Sequence, residues 1–380
     1  MNEKILLVTG TRSESVKLAP VALAMRDDPR TTPVIVNSGQ HERGVAETLG
    51  VFGLAPDVVL RPRRNTGGQG ELVTAVANEL DAVLTAHAPA AVLVQGDTAT
   101  GLAAALAAFW RRIPIVHLEA GLRTRRLDAP FPEEGNRQMI ARIASLHLAP
   151  TSAAAAELQA ESLASQDIVV TGNTVFDALD HVSRTAGPTP GLRVSRADDE
   201  LRLGRRLVVA TAHRRESWGQ PLRQILSGIL GIAEDHPDVL VLFPVHPNPA
   251  LVEEVLPVLG GHPRIMLTPA LSYPDMVWAL RHAALVVSDS GGLQEESAIV
   301  GVPMLVTREA TERPESIVDG QATLVGADTG LIRATARARL AERANPRPVR
   351  GSHAAPKVVE AVLGMLRRPD QVALSGCPRR

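Results

Sequence analysis

Short apolar runs alternate with longer amphipathic stretches along the first 170 residues of the chain. Continuous apolar runs of this kind are typical of strands that are buried on both faces of a parallel sheet. The predicted strands cover residues 4–8, 34–36, 91–95, 115–118, 146–148 and 168–170. The first predicted helix begins near Ser13, its predicted N-cap, and the others cover 43–52, 71–87, 98–111, 133–144 and 152–164. The pattern predicts a parallel sheet with helices on both faces.

The same alternation starts again after residue 203. The second series of predicted strands covers residues 207–210, 239–243, 265–267, 285–287, 304–306 and 323–325. Between the two series, residues 183–203 carry a cluster of Pro, Gly and acidic residues, which is typical of a surface loop or linker. A chain of 380 residues also exceeds what one hydrophobic core usually supports. We therefore predict two similar α/β units.

Polar residues follow the predicted strands of the first series at their carboxyl ends, where parallel sheets bind ligands. These residues are Arg12, Gln40, His41, Asp97, Glu119 and Asn173. Asp97 and Glu119 close successive strands, so their carboxylates could converge and have the separated pKa values that acid/base chemistry needs. Asp97 could instead cap the helix that follows it, which is the commoner role at such a position. Lys17 is predicted either to contact a phosphate or acid group, as Arg12 does, or to be an exposed cation on a helix face.

A charged loop occupies residues 117–137, between a predicted strand and a predicted helix. It holds three glutamates and four arginines, namely Glu119, Glu133, Glu134, Arg123, Arg125, Arg126 and Arg137. Carboxylates at the end of a strand can transfer protons while arginines hold an anionic ligand. The same composition is also found in solvated loops that are held by salt bridges. The loop by itself does not decide between these two interpretations.

The second series contains a sharper signal for anion binding. The strand at 285–287 leads through Ser288 and Asp289 to Ser290, Gly291 and Gly292, where a helix is predicted to begin. Backbone N–H groups at such a helix start are suited to a diphosphate, although a Gly-Gly pair alone is more often an ordinary turn. His213, Arg214 and His246 also follow strands, which favours phosphate contact or proton transfer over a structural role. The spacing of His, Asp and Glu does not favour a metal site.

Composition excludes several classes of protein. The net charge is -1 at a pI of about 6.9, and there are only nine aromatic residues, so neither a nucleic-acid surface nor an anionic membrane surface is expected. The single cysteine, Cys377, excludes an intramolecular disulfide, and no export signal or membrane-spanning run is seen, so we expect a soluble, cytoplasmic protein. Gly10-Thr11-Arg12 is not a dinucleotide fingerprint, so no nicotinamide or flavin cofactor is expected.

The motifs together resemble those of the UDP-N-acetylglucosamine 2-epimerase family over nearly the whole chain. The motifs that carry the resemblance are Gly10-Thr11-Arg12, Lys17 to Pro20, Gly39 to His41, Gly96 to Thr98, His117 to Arg137, Thr171 to Thr174, His213 to Glu216, His246 to Pro249, Ser288 to Glu296 and Thr311 to Glu315. The resemblance implies two Rossmann-like domains that face each other across a cleft, the glycosyltransferase-B architecture. The domains would cover residues 1–171 and 172–353, and a C-terminal helix within 354–368 would cross back to the first domain.

The resemblance also implies roles for individual residues. Asp97, Glu119, Glu133 and His213 match the essential carboxylates and histidine of the family, while Glu134 is left to shape the loop. The residues implied in binding the substrate or its UDP are Arg12, Lys17, Arg137, Asn173, Arg214, Ser290, Gly291, Gly292, Glu296 and Arg313. Of these, Ser290, Gly291 and Gly292 would hold the diphosphate and Glu296 the ribose hydroxyls. The implied partners are UDP-GlcNAc, UDP-ManNAc and UDP, with no cofactor, and the implied assembly is a homodimer.

The implied reaction is an elimination followed by an addition. The C2 proton of the sugar is not acidic, so UDP leaves C1 as that proton is lost, and UDP then adds back to 2-acetamidoglucal as a proton arrives from the opposite face. Gln40 and His246 match a site for an activating second UDP-GlcNAc, but Arg43 stands where a glutamine is expected, which leaves this activation open. Three other hypotheses are a hydrolysing 2-epimerase, a glycosyltransferase of the same fold and a UDP-sugar sensor without turnover.

Overall fold

The computed structural model describes residues 2–164, 167–185, 194–214, 217–342 and 352–368. The chain forms two compact units: Met1–His181 together with Arg350–Arg380, called unit 1 below, and Val182–Val349, called unit 2. Each unit is built around one parallel sheet, as the alternation of the sequence predicts. The division by contacts lies inside a helix, and the boundary at residue 171 that the family resemblance implies remains a prediction.

Unit 1 contains a seven-stranded sheet in the order β3-β2-β1-β4-β5-β6-β7, and its registered pairs are parallel. Its elements up to the division are β1 (Glu3–Thr9), α1 (Arg12–Asp27), β2 (Thr31–Asn37), α2 (Glu42–Val51), β3 (Val58–Val59), α3 (Gln69–His87), β4 (Ala91–Gln95), α4 (Ala99–Trp110), β5 (Ile115–Leu118), α5 (Glu133–Ile143), β6 (Leu146–Ala149), α6 (Ser152–Ala160), β7 (Ile168–Val170) and α7 (Val175–Thr185), which contains the division.

The sheet of unit 1 is buried on both faces. Successive residues of β1, Ile5 to Val8, are fully buried although they point alternately to the two faces of the sheet. Helices therefore cover both faces, as predicted. The strand order reverses between β1 and β4: from β1 the chain adds β2 and β3 toward one edge of the sheet, and then β4 to β7 toward the other edge. At such a switch point the loops after the two strands diverge and open a crevice for ligands.

Two helix caps differ from the sequence interpretation. Thr11, not Ser13, is the N-cap of α1, because its backbone is extended and its hydroxyl accepts a hydrogen bond from the Glu14 N–H at 3.3 Å. Likewise Thr98 caps α4 by accepting from the Gly101 N–H at 2.9 Å. Asp97 is therefore not the cap of this helix, and its carboxylate is available for another contact.

Unit 2 contains a six-stranded sheet in the order β10-β9-β8-β11-β12-β13, and its registered pairs are parallel. Its elements are α8 (Ser195–Arg202), β8 (Arg206–Thr211), α9 (Gln220–Asp235), β9 (Val239–Val245), α10 (Pro249–Leu259), β10 (Ile265–Pro269), α11 (Tyr273–His282), β11 (Ala283–Ser288), α12 (Gly291–Val300), β12 (Met304–Val306), α13 (Pro314–Val318), β13 (Ala322–Leu324) and α14 (Thr329–Ala341). Its switch point lies between β8 and β11.

The prediction of a loop or linker over 183–203 is wrong at both ends of that range. Helix α7 continues to Thr185, and α8 occupies Ser195–Arg202. Helix α8 is mostly polar, but Val194 and Ala197 are buried in a cluster with residues of β8 and β9, so packing rather than composition decides its structure. Residues 186–193 lie outside the described part of the chain. The two-residue strand β3 was also not predicted.

The last described helix, α15 (Ala354–Leu366), belongs to unit 1 and packs against α1. Its apolar face, which includes Val358 and Val362, is buried. The Asp177 carboxylate of α7 accepts from the backbone N–H groups of His353 at 2.9 Å and Ala355 at 2.8 Å, and so satisfies the helix start. Among the described residues, no helix is both long and apolar enough to cross a membrane.

Candidate active site

In unit 1, Glu119 is the centre of a buried charged cluster. It follows β5 with a positive φ of 62°, a conformation that is uncommon for a residue with a side chain. Its two carboxylate oxygens accept hydrogen bonds from the ammonium group of Lys17 on α1 and from the amide of Gln95 at the end of β4. Lys17 is only 6% exposed, so it is not the surface cation that the sequence left as one alternative. Three elements therefore fix this carboxylate.

A second acid lies on the neighbouring loop. Arg137 on α5 places its Nη2 2.6 Å from Oδ2 of Asp97, and its side chain is almost fully buried. Asn136, one residue earlier, donates from Nδ2 to the Asp97 carbonyl at 2.9 Å. Helix α5 therefore holds the loop between β4 and α4, which carries Asp97. The Asp97 side chain remains one-quarter exposed, so a ligand can reach it.

Glu134 has the structural role that the sequence left for it. Its buried carboxylate accepts from the backbone N–H groups of Thr124 at 3.0 Å and Arg125 at 3.1 Å, and from Nε2 of Gln138 at 2.8 Å. Burial raises the pKa of Glu134, but these donors and Arg137 together lower it below its usual value. Glu134 is therefore an anion that organises the loop between β5 and α5.

Three other predicted residues of unit 1 have contacts of their own within the unit. Glu133 is the first residue of α5 and is partly buried. The Asn173 carboxamide accepts from the Val175 N–H at 3.0 Å and so supports the start of α7. Arg12 begins α1, and its side chain lies against Gly44 of α2. The structure leaves their predicted roles in catalysis and binding as predictions.

The residues predicted for an activator site have clear local partners. Gln40 accepts a hydrogen bond at Oε1 from the Thr100 hydroxyl at 2.8 Å. Arg43 pairs with Glu47 one turn along α2 at 2.7 Å, and its side chain is 93% exposed. Arg43 therefore extends along the surface of its own helix. Its proposed part in activation stays a prediction.

Glu14 is a site residue that the sequence interpretation missed. Its fully buried carboxylate accepts from the Gly10 N–H at 3.0 Å, the Thr11 hydroxyl at 2.8 Å and the Thr98 hydroxyl at 2.6 Å. It thereby joins the loops after β1 and β4 at the switch point of unit 1. Burial raises its pKa to about 7, although the hydrogen bonds lower it. The available signal was the capping-box spacing of Thr11 and Glu14, which by itself indicates only a helix start.

We expect Glu14 to make the stability of the protein depend on pH. Its pKa is about 7 in the folded protein and near 4.5 in a free chain, so the folded state binds the extra proton between these values. Its stabilising contribution is therefore complete below pH 4.5 and is lost as pH rises through 7, by about 3 kcal/mol in total. Urea unfolding at pH 5 and pH 8 should show this loss in the wild type and a clearly smaller one in Glu14→Gln.

Glu71→Gln is the matched control for this measurement. Hydrogen bonds from Asn65 and Thr66 lower the pKa of Glu71 to about 2, so Glu71 is ionised at both pH values and should not alter the pH dependence. An equal loss of stability in Glu14→Gln and in the wild type would contradict the assignment.

In unit 2, the start of α12 has the geometry of an anion site. Ser290 is the N-cap, and its hydroxyl accepts from the Leu293 N–H at 3.4 Å. Gly291 permits a close approach of the neighbouring loop, because a Cβ atom there would lie 2.4 Å from Nη1 of Arg313 and 2.9 Å from Oε1 of Glu312. Gly291 and Gly292 are the first two residues of α12. The start of this helix thus combines backbone N–H groups, the positive end of the helix dipole and a guanidinium.

Two carboxylates hold Arg313 in this position. Its Nε donates to Oε1 of Glu295 at 2.8 Å, and its Nη1 donates to Glu312. Glu312 is itself buried and pairs with Arg308 at 2.9 Å. Gln294 adds a hydrogen bond from Nε2 to the Arg313 carbonyl at 3.1 Å. The guanidinium is therefore positioned before any ligand binds.

Glu296 is the sixth residue of α12 and is buried. The hydroxyl of Tyr273, at the start of α11, interacts with its carboxylate. Burial, followed by the charge of Glu296, raises the pKa of Tyr273 well above 10, so the phenol stays protonated. Glu296, the residue predicted to bind ribose hydroxyls, thus lies near a phenol that stays neutral.

His213 lies at the switch point of unit 2 between two polar partners. Its Nδ1 is 3.1 Å from Oδ1 of Asp289 in the loop after β11. Its ring stacks on that of His246, with ring centroids 5.9 Å apart and planes at 2°. Arg214 is held by the same carboxylate, because Asp289 accepts from its backbone N–H at 2.7 Å. Residues 215 and 216 of this motif lie outside the described part of the chain.

Two findings here were not foreseen. Asp289 appeared in the sequence only as part of the Ser-Asp-Ser-Gly-Gly run, yet it is the residue that joins the loops after β8 and β11. His246, which the resemblance matches to an activator site, stacks on His213, and its part in activation stays a prediction. Within the described ranges, His, Cys, Asp and Glu side chains form no group of three that could hold a metal ion.

Comparisons with known proteins agree with one another. The sequence profile of the UDP-N-acetylglucosamine 2-epimerase family matches residues 23–363. The chain is 40% identical over 324 residues to the UDP-N-acetylglucosamine 2-epimerase of Salmonella borreze. This alignment covers 85% of this chain and 86% of that protein. The chain is 38% identical over 331 residues to the enzyme of Escherichia coli K12, which covers 87% and 88%, respectively.

Solved structures give the same result for the fold. The UDP-GlcNAc 2-epimerase of Neisseria meningitidis, bound to UDP-GlcNAc, superposes with a TM-score of 0.87 at 33% identity, over 95% of this chain and all of that one. The enzyme of Methanocaldococcus jannaschii, in complex with UDP-GlcNAc and UDP, gives a TM-score of 0.84 at 29% identity, over 95% and 99% of the two chains.

Proposed function

We propose that this chain, which belongs to the UDP-N-acetylglucosamine 2-epimerase family, interconverts UDP-GlcNAc and UDP-ManNAc. In the proposed reaction UDP is eliminated and then added back. The family is one of isomerases, and the relatives above carry that activity in their names. In this proposal unit 2 holds the UDP leaving group, and unit 1 transfers the protons.

The observation that carries the proposed mechanism is the pair of fixed acids in unit 1. Glu119 is held by Lys17 and Gln95, and Asp97 is held by Arg137. Elimination needs a group that takes the C2 proton, and re-addition needs a group that delivers a proton to the opposite face. The proposal gives these two tasks to Asp97, Glu119 and Glu133 as a set, without dividing them further.

The leaving group is supported by the features of unit 2. When the bond from C1 to the diphosphate oxygen breaks, its electrons stay on that oxygen, so negative charge increases there. The start of α12, the guanidinium of Arg313 and the imidazole of His213 are suited to stabilise this charge. The buried carboxylate of Glu296 is suited to bind ribose hydroxyls. These features support a nucleoside diphosphate as the ligand.

Analysis of the products separates the proposal from its alternatives. Purified protein with UDP-GlcNAc alone should form UDP-ManNAc until the two sugars reach equilibrium. A hydrolysing 2-epimerase would instead release N-acetylmannosamine and UDP, and a glycosyltransferase would leave the sugar unchanged without an acceptor. The proposal includes a homodimer, for which sedimentation should give twice the mass of the 40.4 kDa chain.

A further inference from the structure

Asp289 is a buried carboxylate of unit 2 that the proposed reaction does not yet use. It is completely buried, in the loop between β11 and α12. Its Oδ2 accepts from the backbone N–H groups of His213 and Arg214, both at 2.7 Å, and its Oδ1 lies 3.1 Å from Nδ1 of the His213 ring. One carboxylate thus holds both the backbone and the imidazole of His213.

We propose that Asp289 is a positioning residue, which keeps Nδ1–H of His213 directed at its own carboxylate and leaves Nε2 as the atom that acts on the ligand. The inference rests on the proposed function, because it assumes that His213 serves the leaving group. The inference gives a role to Asp289, which lies 76 positions from His213 in sequence. Neither the motifs nor the family resemblance assigned a role to this residue.

The charge of Asp289 determines which tautomer of the His213 ring this carboxylate favours. Burial raises the pKa of Asp289, but the nearby His213 and the two backbone donors lower it to about 2. Asp289 is therefore an anion at neutral pH and can only accept hydrogen bonds. An anion 3.1 Å from Nδ1 favours a hydrogen on that nitrogen, in the neutral ring as well as in the protonated ring.

His246 restricts the remaining freedom of the ring. Its plane is parallel to that of His213 within 2°, and its own Nδ1 accepts from the Asn248 N–H at 3.2 Å, so it is held in turn by the loop before α10. His213 therefore lies with one edge 3.1 Å from the Asp289 carboxylate and one face against a second ring. The edge that carries Nε2 is the one left for a ligand.

This arrangement has a definite chemical consequence. In the protonated ring, Nε2–H can donate to a phosphate oxygen while the bond from C1 to the diphosphate breaks. The bonding electrons stay on the diphosphate, the C2 proton goes to a carboxylate of unit 1, and the ring keeps its own proton. Nδ1 cannot make this contact with the phosphate, because it faces Asp289.

A purely structural role of Asp289 makes different predictions, and Asp289→Asn separates the two. The amide can still accept from the backbone N–H groups, but it has no charge, and it can present its own N–H₂ group to the ring. If Asp289 positions His213, we expect kcat to fall about a hundredfold while KM for UDP-GlcNAc changes less than about fivefold, because the lost contact acts mainly in the transition state. A kcat within about threefold of the wild type in folded Asp289→Asn would overturn the proposal.

Thr211→Val is the matched control. The Thr211 hydroxyl bonds to the Ser288 hydroxyl at 2.6 Å, so this contact ties the same two strand ends together without touching His213. Its loss should lower the melting temperature and leave kcat within about threefold of the wild type. A fall in kcat equal to that of Asp289→Asn would show that loop stability alone explains the effect, and would overturn the proposal.

A spectroscopic measurement on the wild type keeps the test valid if Asp289→Asn does not fold. Nitrogen-15 NMR of the imidazoles, assigned with His213→Gln, should show Nδ1 of His213 protonated and Nε2 unprotonated when the ring is neutral. The opposite tautomer would overturn the proposal. Since this measurement needs no turnover, a protein that forms no UDP-ManNAc but shows the Nδ1–H tautomer would refute the proposed function alone.

Discussion

Replacing Glu119 by Gln should lower the rate of epimerisation about a thousandfold while leaving the binding of UDP almost unchanged. The carboxylate is proposed to transfer a proton at C2, and the loss of such a group typically costs 10²- to 10⁴-fold in rate. The groups proposed to hold UDP lie in unit 2 and are not altered. The measurements are the initial rate of UDP-ManNAc formation and the dissociation constant of UDP by calorimetry.

The same substitution should also destabilise the protein, which could be mistaken for the loss of a catalytic group. Lys17 is buried with Glu119, and removal of one partner from a buried ion pair costs about 3–5 kcal/mol because it leaves a charge without its counter-ion. We therefore expect the double variant Lys17→Met/Glu119→Gln to recover most of the stability, since it buries no charge at this position.

The double variant accordingly tests whether the loss of activity follows from the loss of stability. If Glu119 transfers protons, activity should remain lost in the double variant although most of the stability has returned. Recovery of activity together with stability would show that Glu119 contributes only to folding.

Gly291→Ala should weaken the binding of UDP about 10- to 100-fold. The new Cβ atom would lie 2.4 Å from Nη1 of Arg313, and this guanidinium cannot retreat freely because Glu295 and Glu312 hold it. The ligand therefore loses a charge-assisted hydrogen bond of about 1.5–3 kcal/mol. Calorimetric titration with UDP gives the affinity directly.

Gly292→Ala provides the comparison for this second prediction. A Cβ at position 292 would meet only the Ser290 hydroxyl at 3.8 Å, which is an ordinary contact. Gly292→Ala should therefore keep the melting temperature of the wild type, whereas Gly291→Ala should lower it. Unchanged UDP affinity in Gly291→Ala would contradict the assignment of the α12 start as the diphosphate site.

The two sheets and the loops that carry the candidate site were predictable because their signals are local. Continuous apolar runs such as Ile5 to Val8 identify central strands, and the residues just after them, such as Glu119, must lie at the ligand-binding edge of a parallel sheet. The Gly291 turn was likewise recognisable from the strand before it and the helix after it.

The contacts that organise the site were not predictable, because they join residues far apart in sequence. Lys17 and Glu119 are 102 positions apart, and Glu14 and Thr98 are 84 apart. A single sequence carries no information on such pairs. Helix α8 was missed for a different reason: its stability depends on a few buried positions such as Ala197, while its composition resembles that of a loop.

Proton NMR of the purified protein with UDP-GlcNAc in heavy water tests the central claim most directly. If UDP leaves and returns while the C2 proton is exchanged at a carboxylate, both UDP-GlcNAc and UDP-ManNAc should accumulate deuterium at C2 as they approach equilibrium. Formation of UDP-ManNAc that retains the original C2 proton, or no formation of UDP-ManNAc at all, would contradict the account.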